Sequence, residues 1–238
     1  MNISVVIPAY NEEKRIGACL TSIYHQTELP SEVIVVDNNS TDKTAEIAKR
    51  MGATVVSETK QGIAFARNAG FNAAHGDVIA RTDADTIVSR DWIEKINKHF
   101  EKDPMLDAIS GPAVFGLRVF SPLVRLLVFE TNKKIFGHYG LYGPNFALRK
   151  SAWERVKDEV CLDDEKVHED TDIAIHIGKI GKIGYDKDLK VRTSARRLRQ
   201  SPSSQLVEYL VKWADMIAYH KNYRITSIAS SIKHRINN

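Results

Sequence analysis

The residues EVIVVDNNSTDKTAEIA, Glu32 to Ala48, change character twice. A β-branched run that ends at Asp37 gives way to a polar loop, and Ile47 and Ala48 then lie on one face of a helical pattern. A short β-branched run is typical of a strand buried in a parallel sheet. The helical spacing predicts a helix that packs on that sheet, and Ser40 is a good candidate for its N-cap. These residues therefore predict a strand, a loop and a helix in that order.

The same succession recurs through the first hundred residues. Further strand-like runs are ISVVIPAY, ATVVSE and GDVIART, and helical patterns lie in NEEKRIGACLTSIYHQT, GIAFARNAGFNAAHG and SRDWIEKINKHF. Asn11 is the candidate N-cap of the first of these helices. Alternation of strands and helices favours right-handed βαβ units. The predicted fold class is α/β, with a Rossmann-like, mostly parallel sheet flanked by helices.

Polar residues follow each predicted strand at its carboxyl end. They are PAYNEE after the first strand, DNNSTD after the second, ETKQG after the third and TDAD after the fourth. In open α/β sheets, ligands bind in the crevice outside the carboxyl ends of the strands. We therefore expect these four loops to meet at one edge of the sheet and to form a binding site.

The pattern becomes irregular after about residue 104. We expect one domain over residues 1–238, with a regular α/β half, 1–103, an irregular half, 104–200, and an amphipathic helical segment, 201–238. The amphipathic residues Leu123 to Phe136 and the closing helix around Trp213 fit two interpretations. They could touch a membrane surface, or they could pack on the domain, which the same apolar stripe also explains.

Composition limits the class of protein. With 238 residues, 43% of them hydrophobic, the chain can bury a substantial core. Cys19 and Cys161 fit no metal-ligand spacing and predict buried thiols in a reducing compartment. We find no signal-peptide pattern and no apolar run long enough to span a membrane. The net charge is +4, and the surplus of Lys and Arg lies from Lys182 onward. Such a basic segment can bind phosphates or anionic headgroups.

Two carboxylates, Asp83 and Asp85, follow the fourth predicted strand in the residues RTDADTIVS. Carboxylate oxygens are hard ligands that suit Mg²⁺ or Mn²⁺, and a pair leaves coordination positions open for phosphate oxygens. The alternative is that one acid caps the following turn and the other faces solvent. The chain has neither a G-x-G-x-x-G turn nor a P-loop, so phosphate binding through a metal is the favoured interpretation.

In six segments, taken in order, the chain resembles the inverting nucleotide-sugar glycosyltransferases of family 2, which have the GT-A fold. The segments are VVIPAYNEEKRIGACLTSI, EVIVVDNNSTDKTAEIA, GIAFARNAGFNAAHGDVIARTDAD, GPNFALRKSAWERV, HEDTDIAIHI and TSARR. Each is weak alone, but six in the family's order and rough spacing are a strong signal.

The resemblance implies which residues contact the donor. It assigns the base and ribose to the loop from Pro8 to Glu12, with Tyr10 and Asn11, and to Asp37 and Asn39. Many members of the family have a second acid and a glycine after the acid that matches Asp37, whereas this chain has Asn38 and Asn39. The resemblance further implies that Asp83 contacts the ribose or sugar. It places Arg67, Asn68, Arg196 and Arg197 near the sugar-diphosphate. It places Asn145 in the stretch that lines the pocket for the donor sugar and the acceptor.

The resemblance implies that residues 1–103 are the nucleotide-sugar-binding half and residues 104–200 the acceptor and catalytic half. It also implies the reacting groups. Asp85 is the expected ligand of Mn²⁺ or Mg²⁺, Asp170 the expected general base, and Glu169 its acceptor-binding or orienting partner. Inverting transfer needs a carboxylate that takes the acceptor's proton. Acids at 169 and 170 are also favoured by the positive end of the helix that the following residues predict. His168 and His176 have no metal-ligand spacing with another histidine.

The expected function is metal-dependent, inverting transfer of a sugar from a UDP- or GDP-linked donor to a hydroxyl of a glycan or lipid-linked acceptor, in cell-envelope polysaccharide synthesis. Two alternatives stay open: transfer to a polyprenyl phosphate, and a non-catalytic module that binds nucleotide sugars or glycans. We expect a cytoplasmic protein and no nucleic-acid partner, and peripheral contact with the inner face of the membrane stays open as an alternative.

Overall fold

The computed structural model describes residues 1–115, 129–196 and 220. Its larger sheet has seven strands in the order β3-β2-β1-β4-β8-β6-β9. The first four strands in sequence are all parallel: β1 (Ile3–Ala9), β2 (Glu32–Asp37), β3 (Thr54–Ser57) and β4 (Val78–Arg81). This half of the sheet is the one predicted from the β-branched runs.

The second half of the chain extends the same sheet. Strand β8 (Phe146–Arg149) lies antiparallel between β4 and β6 (Leu106–Ser110), and β9 (Lys182–Tyr185) pairs with β6 in parallel. The sheet is therefore mixed, with the parallel pairs in the majority, as predicted.

A second sheet of three strands was not expected from the sequence. It consists of β5 (Thr86–Val88), β10 (Val191–Thr193) and β7 (Ala113–Phe115), with β10 in the centre. Strand β5 follows directly after the two acids at 83 and 85, so this small sheet holds the chain immediately beyond them.

Seven helices lie within the described part of the chain. Their bounds are α1 (Ile16–Tyr24), α2 (Thr44–Arg50), α3 (Ile63–Ala73), α4 (Trp92–Lys102), α5 (Thr131–Phe136), α6 (Lys150–Val156) and α7 (Glu169–Ile180). The predicted segment Leu123 to Phe136 is described only from residue 129, and of the predicted helix over 201–238 only His220 lies among the described residues.

Alternate side chains of the central strands enter two cores on opposite faces of the sheet. Val5 and Ile7 pack on the side of α1 and α4, together with Leu20 and Ile96. Val6, between them, packs on the side of α3, α6 and α7. Burial of both faces explains why these strands are continuously apolar.

The predicted helix caps at Asn11 and Ser40 are wrong. Helix α1 begins at Ile16 and α2 at Thr44, and neither has a side-chain cap. Instead Asn11 N–H donates to Ser40 Oγ at 3.0 Å, and Thr41 N–H donates to Asn11 Oδ1 at 2.8 Å. These polar side chains join two loops to each other because the loops lie at neighbouring strand ends.

The cysteines match the expectation of buried thiols. Cys19 and Cys161 are both free and both buried. Burial raises the pKa of the Cys19 thiol, with the nearby acids Asp83 and Asp85 as further causes, so this thiol stays protonated at neutral pH.

Gly70 allows close packing of α3 on the sheet. A Cβ atom at Gly70 would clash with Val6 Cγ1 and would lie 2.8 Å from Val36 Cγ2. Gly17 in α1 differs, because a Cβ there would lie 3.7 Å from Met51 Sδ, an ordinary contact.

Gly70→Ala is therefore predicted to lower the free energy of unfolding by about 1–3 kcal/mol through overpacking. Gly17→Ala, the matched control, should raise it by up to about 1 kcal/mol because alanine restricts the unfolded chain. Urea unfolding monitored by circular dichroism measures both changes. Equal effects of the two substitutions would contradict the packing described.

Candidate active site

The loops at the carboxyl ends of β1, β2 and β3 are joined by side-chain hydrogen bonds. Asn38 Nδ2 donates to the carbonyl oxygens of Glu58 and Lys60, at 3.0 and 2.7 Å, and Asn38 Oδ1 accepts from Gly62 N–H at 2.9 Å. Asn39 Nδ2 donates to Thr59 O at 2.6 Å. The two asparagines that depart from the family pattern thus connect the second loop to the third.

Two residues of this edge have left-handed backbone. Asn11 has φ 53° and Asn39 has φ 63°, a region that asparagine tolerates better than most side chains. Asp37, at the end of β2, is half-buried, and its Oδ1 accepts a hydrogen bond from Ser40 N–H at 3.3 Å. Tyr10 is 50% exposed at the rim. The edge is a shaped polar surface that three loops hold in place.

Negative charge is concentrated where β4 ends. The half-buried Asp85 accepts a hydrogen bond from Thr193 Oγ1 at 3.2 Å, and Asp83 Oδ1 lies 3.2 Å from Arg81 Nη2. Glu12 faces the same region, with its Oε1 2.5 Å from Arg196 Nη2.

The pKa of Asp85 is raised, first by burial and then by the charges of Asp83 and Glu12, while Thr193 and Arg196 act in the opposite direction. Among the described residues, Arg81 and Arg196 pair with Asp83 and Glu12, whereas Asp85 receives only a hydroxyl hydrogen bond. A half-buried carboxylate with like charges beside it and no cation of its own is the donor set that a divalent cation fits.

A buried ion-pair network lies behind this cluster. Glu169, the first residue of α7, accepts hydrogen bonds from Arg67 Nη1 to Oε2 at 3.1 Å and from Arg81 Nη1 to Oε1. Arg67 Nη1 also donates to the Glu169 carbonyl oxygen at 3.1 Å. Arg67 is 0%, Arg81 2% and Glu169 7% exposed, so the network is closed to solvent.

Burial raises the pKa of Glu169, and the charges of Arg81 and Arg67 counteract that effect. Burial lowers the pKa of Arg81, but the carboxylates of Glu169 and Asp83 outweigh it, so its pKa is raised. Since both carboxylate oxygens of Glu169 contact a guanidinium, this side chain is held in one position by protein groups alone.

The neighbouring Asp170 has a different environment. It is half-buried, its Oδ2 accepts from Gly143 N–H at 2.8 Å, and its Oδ1 accepts from Thr171 N–H at 2.7 Å. Two backbone donors orient this carboxylate, which has further acceptor positions on both oxygens. Thus one acid of the pair is enclosed by arginines and the other remains at the open side.

The family model for glycosyl transferase family 2 matches residues 4–156, well over half of the chain. The chain belongs to this family. This family 2 chain is 25% identical over 252 residues to the glycosyltransferase GlyA of Streptococcus pneumoniae serotype 4, a match that covers 96% of this chain and 35% of that protein. It is also 37% identical over 101 residues to the glycosyltransferase AglE of Haloferax volcanii, covering 39% of this chain and 33% of that protein. The chain therefore spans about a third of the length of these curated relatives.

Solved structures confirm the GT-A architecture of this family 2 chain. The mannosyltransferase PcManGT of Pyrobaculum calidifontis, solved in complex with GDP-Man and Mn²⁺, superposes with a TM-score of 0.70 at 26% identity, covering 91% of this chain and 64% of that one. S. aureus TarS 1-349, solved with UDP-GlcNAc, superposes with a TM-score of 0.67 at 21% identity, covering 82% of this chain and 58% of that one. At that lower identity the second match concerns the fold alone.

Two residues that the resemblance assigns to the donor site, Arg67 and Asn145, have buried side chains in the structure. Arg67 was expected near the diphosphate, but its guanidinium is buried against Glu169, with its Cζ 5.7 Å from the Trp153 ring. Asn145 was expected to line the pocket, but it is 0% exposed. Its Nδ2 donates to Leu189 O at 2.6 Å and to Pro112 O at 3.3 Å, and its Oδ1 accepts from Trp92 Nε1 at 2.8 Å.

The other expected residues have varied positions. Pro8 is buried within β1. Asn68 in α3 is partly buried, and its Oδ1 atom has no hydrogen-bond partner in the part of the chain that the structure describes. Glu12, Asp83, Asp85 and Arg196 lie together at the end of β4, as the contacts above establish. Arg197 lies outside the described residues.

Sequence reasoning missed the residues that hold the acids in place. Arg81 contacts both Asp83 and Glu169. The available signal was a charged residue at the end of a buried strand, two positions before Asp83. Thr193 reaches Asp85 only because β10 pairs with β5, and no local pattern reveals that pairing. A search of the described residues finds no helix that is both long and apolar enough to span a membrane.

Proposed function

We propose that this chain is a metal-dependent, inverting glycosyltransferase. It moves a sugar from a nucleoside-diphosphate sugar, UDP- or GDP-linked, to a hydroxyl of a glycan or lipid-linked acceptor. The observation that carries the proposal is the division of the two acids at the start of α7: Glu169 is enclosed by Arg67 and Arg81, while Asp170 is half-buried beside it. The family membership and the Mn²⁺ and GDP-Man in the PcManGT structure support the donor class.

Asp170 is the proposed general base. The acceptor oxygen attacks the anomeric carbon, its proton passes to an Asp170 oxygen, and the bond from that carbon to the diphosphate oxygen breaks. A single displacement of this kind inverts the anomeric configuration. Gly143 N–H and Thr171 N–H hold the Asp170 carboxylate in orientation, and Glu169 is a positioning residue because both of its oxygens are engaged.

Asp85 is the proposed ligand of Mn²⁺ or Mg²⁺. When bound, a divalent cation offsets the charge that develops on the leaving diphosphate. Asp83 is assigned to the ribose or sugar, and Arg196 with Arg197 to the diphosphate. Arg196 is bonded to Glu12 and so would exchange that partner for a phosphate oxygen.

The base and ribose of the donor are assigned to the edge formed by Tyr10, Asn11, Glu12, Asp37 and Asn39. The exposed Tyr10 ring offers a stacking surface, and Asp37 Oδ2 makes no hydrogen bond within the described part of the chain. We further propose that the reaction takes place in the cytoplasm, at the inner face of the membrane. The two free cysteines fit a reducing compartment.

Asp170→Asn is predicted to lower the rate of sugar transfer by about 10²–10⁴-fold, because asparagine cannot accept the acceptor's proton. Release of nucleoside diphosphate from a panel of UDP- and GDP-sugars, with water as acceptor, measures the loss before the natural acceptor is known. Calorimetry should show donor affinity within a few-fold of the native chain. Asp188→Asn, at a carboxylate with 60% side-chain exposure, is the control. A fully active Asp170→Asn protein would contradict the assignment.

Asp85→Asn is predicted to raise the melting temperature in the absence of metal and to abolish its increase by Mn²⁺ with a donor. Because the folded-state pKa of Asp85 is raised, the ionised group destabilises the fold, and this loss is complete once the pH exceeds the raised pKa. In EDTA at neutral pH the variant should therefore melt above the native chain, by roughly 2–4 °C for each kcal/mol gained. Mn²⁺ with a donor should raise the melting temperature of the native chain but not of the variant.

Differential scanning fluorimetry with and without EDTA measures both changes, and Asp188→Asn again serves as the control. A variant that melts lower in EDTA would contradict the charge repulsion at Asp85. A variant that keeps the full Mn²⁺ response would contradict its role as the ligand.

A further inference from the structure

A second group of potential metal ligands lies along helix α7, one turn beyond the acids at its start. Within residues 1–115, 129–196 and 220, Asp172, His176 and His220 form a group whose ligand atoms all lie within 4.8 Å of one another. Asp172 is 0% exposed, His176 is 6% exposed, and the His220 side chain is 6% exposed. Asp172 and His176 are four residues apart on one helix, so they present to the same side.

The positions of these side chains suit coordination. His220 Nε2 lies 2.8 Å from Asp172 Oδ1, and His176 Nε2 lies 3.7 Å from the same oxygen. The other Asp172 oxygen, Oδ2, accepts from Cys161 N–H at 2.8 Å. The Cys161 N–H therefore orients the Asp172 carboxylate, and its Oδ1 atom faces the two imidazoles.

His176 supplies the observation that points to a ligand. Its Nδ1 lies 3.2 Å from Glu159 Oε2, and this contact turns Nε2 toward Asp172 and His220. Yet Nε2 is buried and has no hydrogen-bond partner among the described residues. When Nδ1 donates to Glu159, Nε2 carries a lone pair with no donor to satisfy it. A histidine whose second nitrogen bonds a carboxylate is the usual arrangement around a protein-bound metal.

We propose that Asp172, His176 and His220 bind Zn²⁺. Two imidazoles and one carboxylate suit Zn²⁺, which takes three protein ligands and a water in many sites, whereas Mg²⁺ and Mn²⁺ prefer oxygen. Bond lengths near 2.0–2.2 Å place tetrahedral ligand atoms about 3.3 Å apart. The three ligand atoms lie within 4.8 Å of one another, so binding requires the side chains to adjust to that distance.

The site is separate from the one proposed at Asp85. The bound ion would fasten residue 220 to α7, the helix that starts with Glu169 and Asp170. It would act on the fold and on the position of Asp170 rather than on the donor.

The test uses the full chain after treatment with EDTA and dialysis. Zn²⁺ binding is measured by calorimetry and by metal analysis, in the native chain and in Asp85→Asn, which removes the other proposed ligand. The Asp85→Asn protein should bind one equivalent of Zn²⁺, and with Co²⁺ it should show the intense visible absorption of a tetrahedral site with nitrogen ligands. This spectrum needs no change to the histidines, so it does not depend on how their variants fold.

His176→Gln and His220→Gln should each weaken Zn²⁺ binding on the order of 100-fold or more in that background. His25 is exposed and does not belong to the group, so His25→Gln should leave Zn²⁺ binding unchanged. Absence of Zn²⁺ uptake by Asp85→Asn, or uptake that neither histidine variant weakens, overturns the proposal. If the native chain instead binds Zn²⁺ only through these histidines, the proposal stands even where the assignment of Asp85 fails.

Discussion

The carboxylate of Glu169 is enclosed by the guanidinium groups of Arg67 and Arg81, and all three side chains are buried. A buried charge is costly unless it is paired and hydrogen-bonded. The three elements that supply these residues, α3, β4 and α7, must therefore meet in one arrangement. Because Asp170 follows Glu169 directly, this constraint also fixes where the second acid lies relative to the end of β4.

A second electrostatic feature, a group of acids, destabilises the folded state. The acids Asp83, Asp85 and Glu12 lie at the strand ends, and burial together with their mutual repulsion raises the pKa of Asp85. Such repulsion weakens the folded state of the chain on its own. Proteins commonly accept a loss of stability where a ligand is to be bound. The paired acid at 169 and the repelled acid at 85 thus have different tasks: one organises the fold, and the other is suited to a cation.

Much of the fold of residues 1–103 could be predicted from the sequence. Strands buried on both faces give continuous β-branched runs, so β1, β2 and β4 were recognisable, and so was the convergence of polar loops at their carboxyl ends. The small sheet was not, because β10 joins β5 and β7 across more than seventy residues and each strand has only three. The orientations of Arg67 and Asn145 were missed for a related reason: whether a polar side chain faces a cleft or the interior depends on its long-range partners. In the group of Asp172, His176 and His220, the first two are one helical turn apart in sequence, but only the fold brings His220 to them.

The most direct test of this account is a double-mutant cycle on Arg67→Met and Glu169→Gln, measured by urea unfolding. Arg67 donates hydrogen bonds only to Glu169 among the described residues, so the cycle isolates their interaction. Each single replacement is predicted to lower the free energy of unfolding by roughly 3 kcal/mol, since it leaves a buried group without its partner. The double variant should lose less than the sum by about 1–3 kcal/mol. Losses that add to within about 0.5 kcal/mol would contradict the central role of this ion pair.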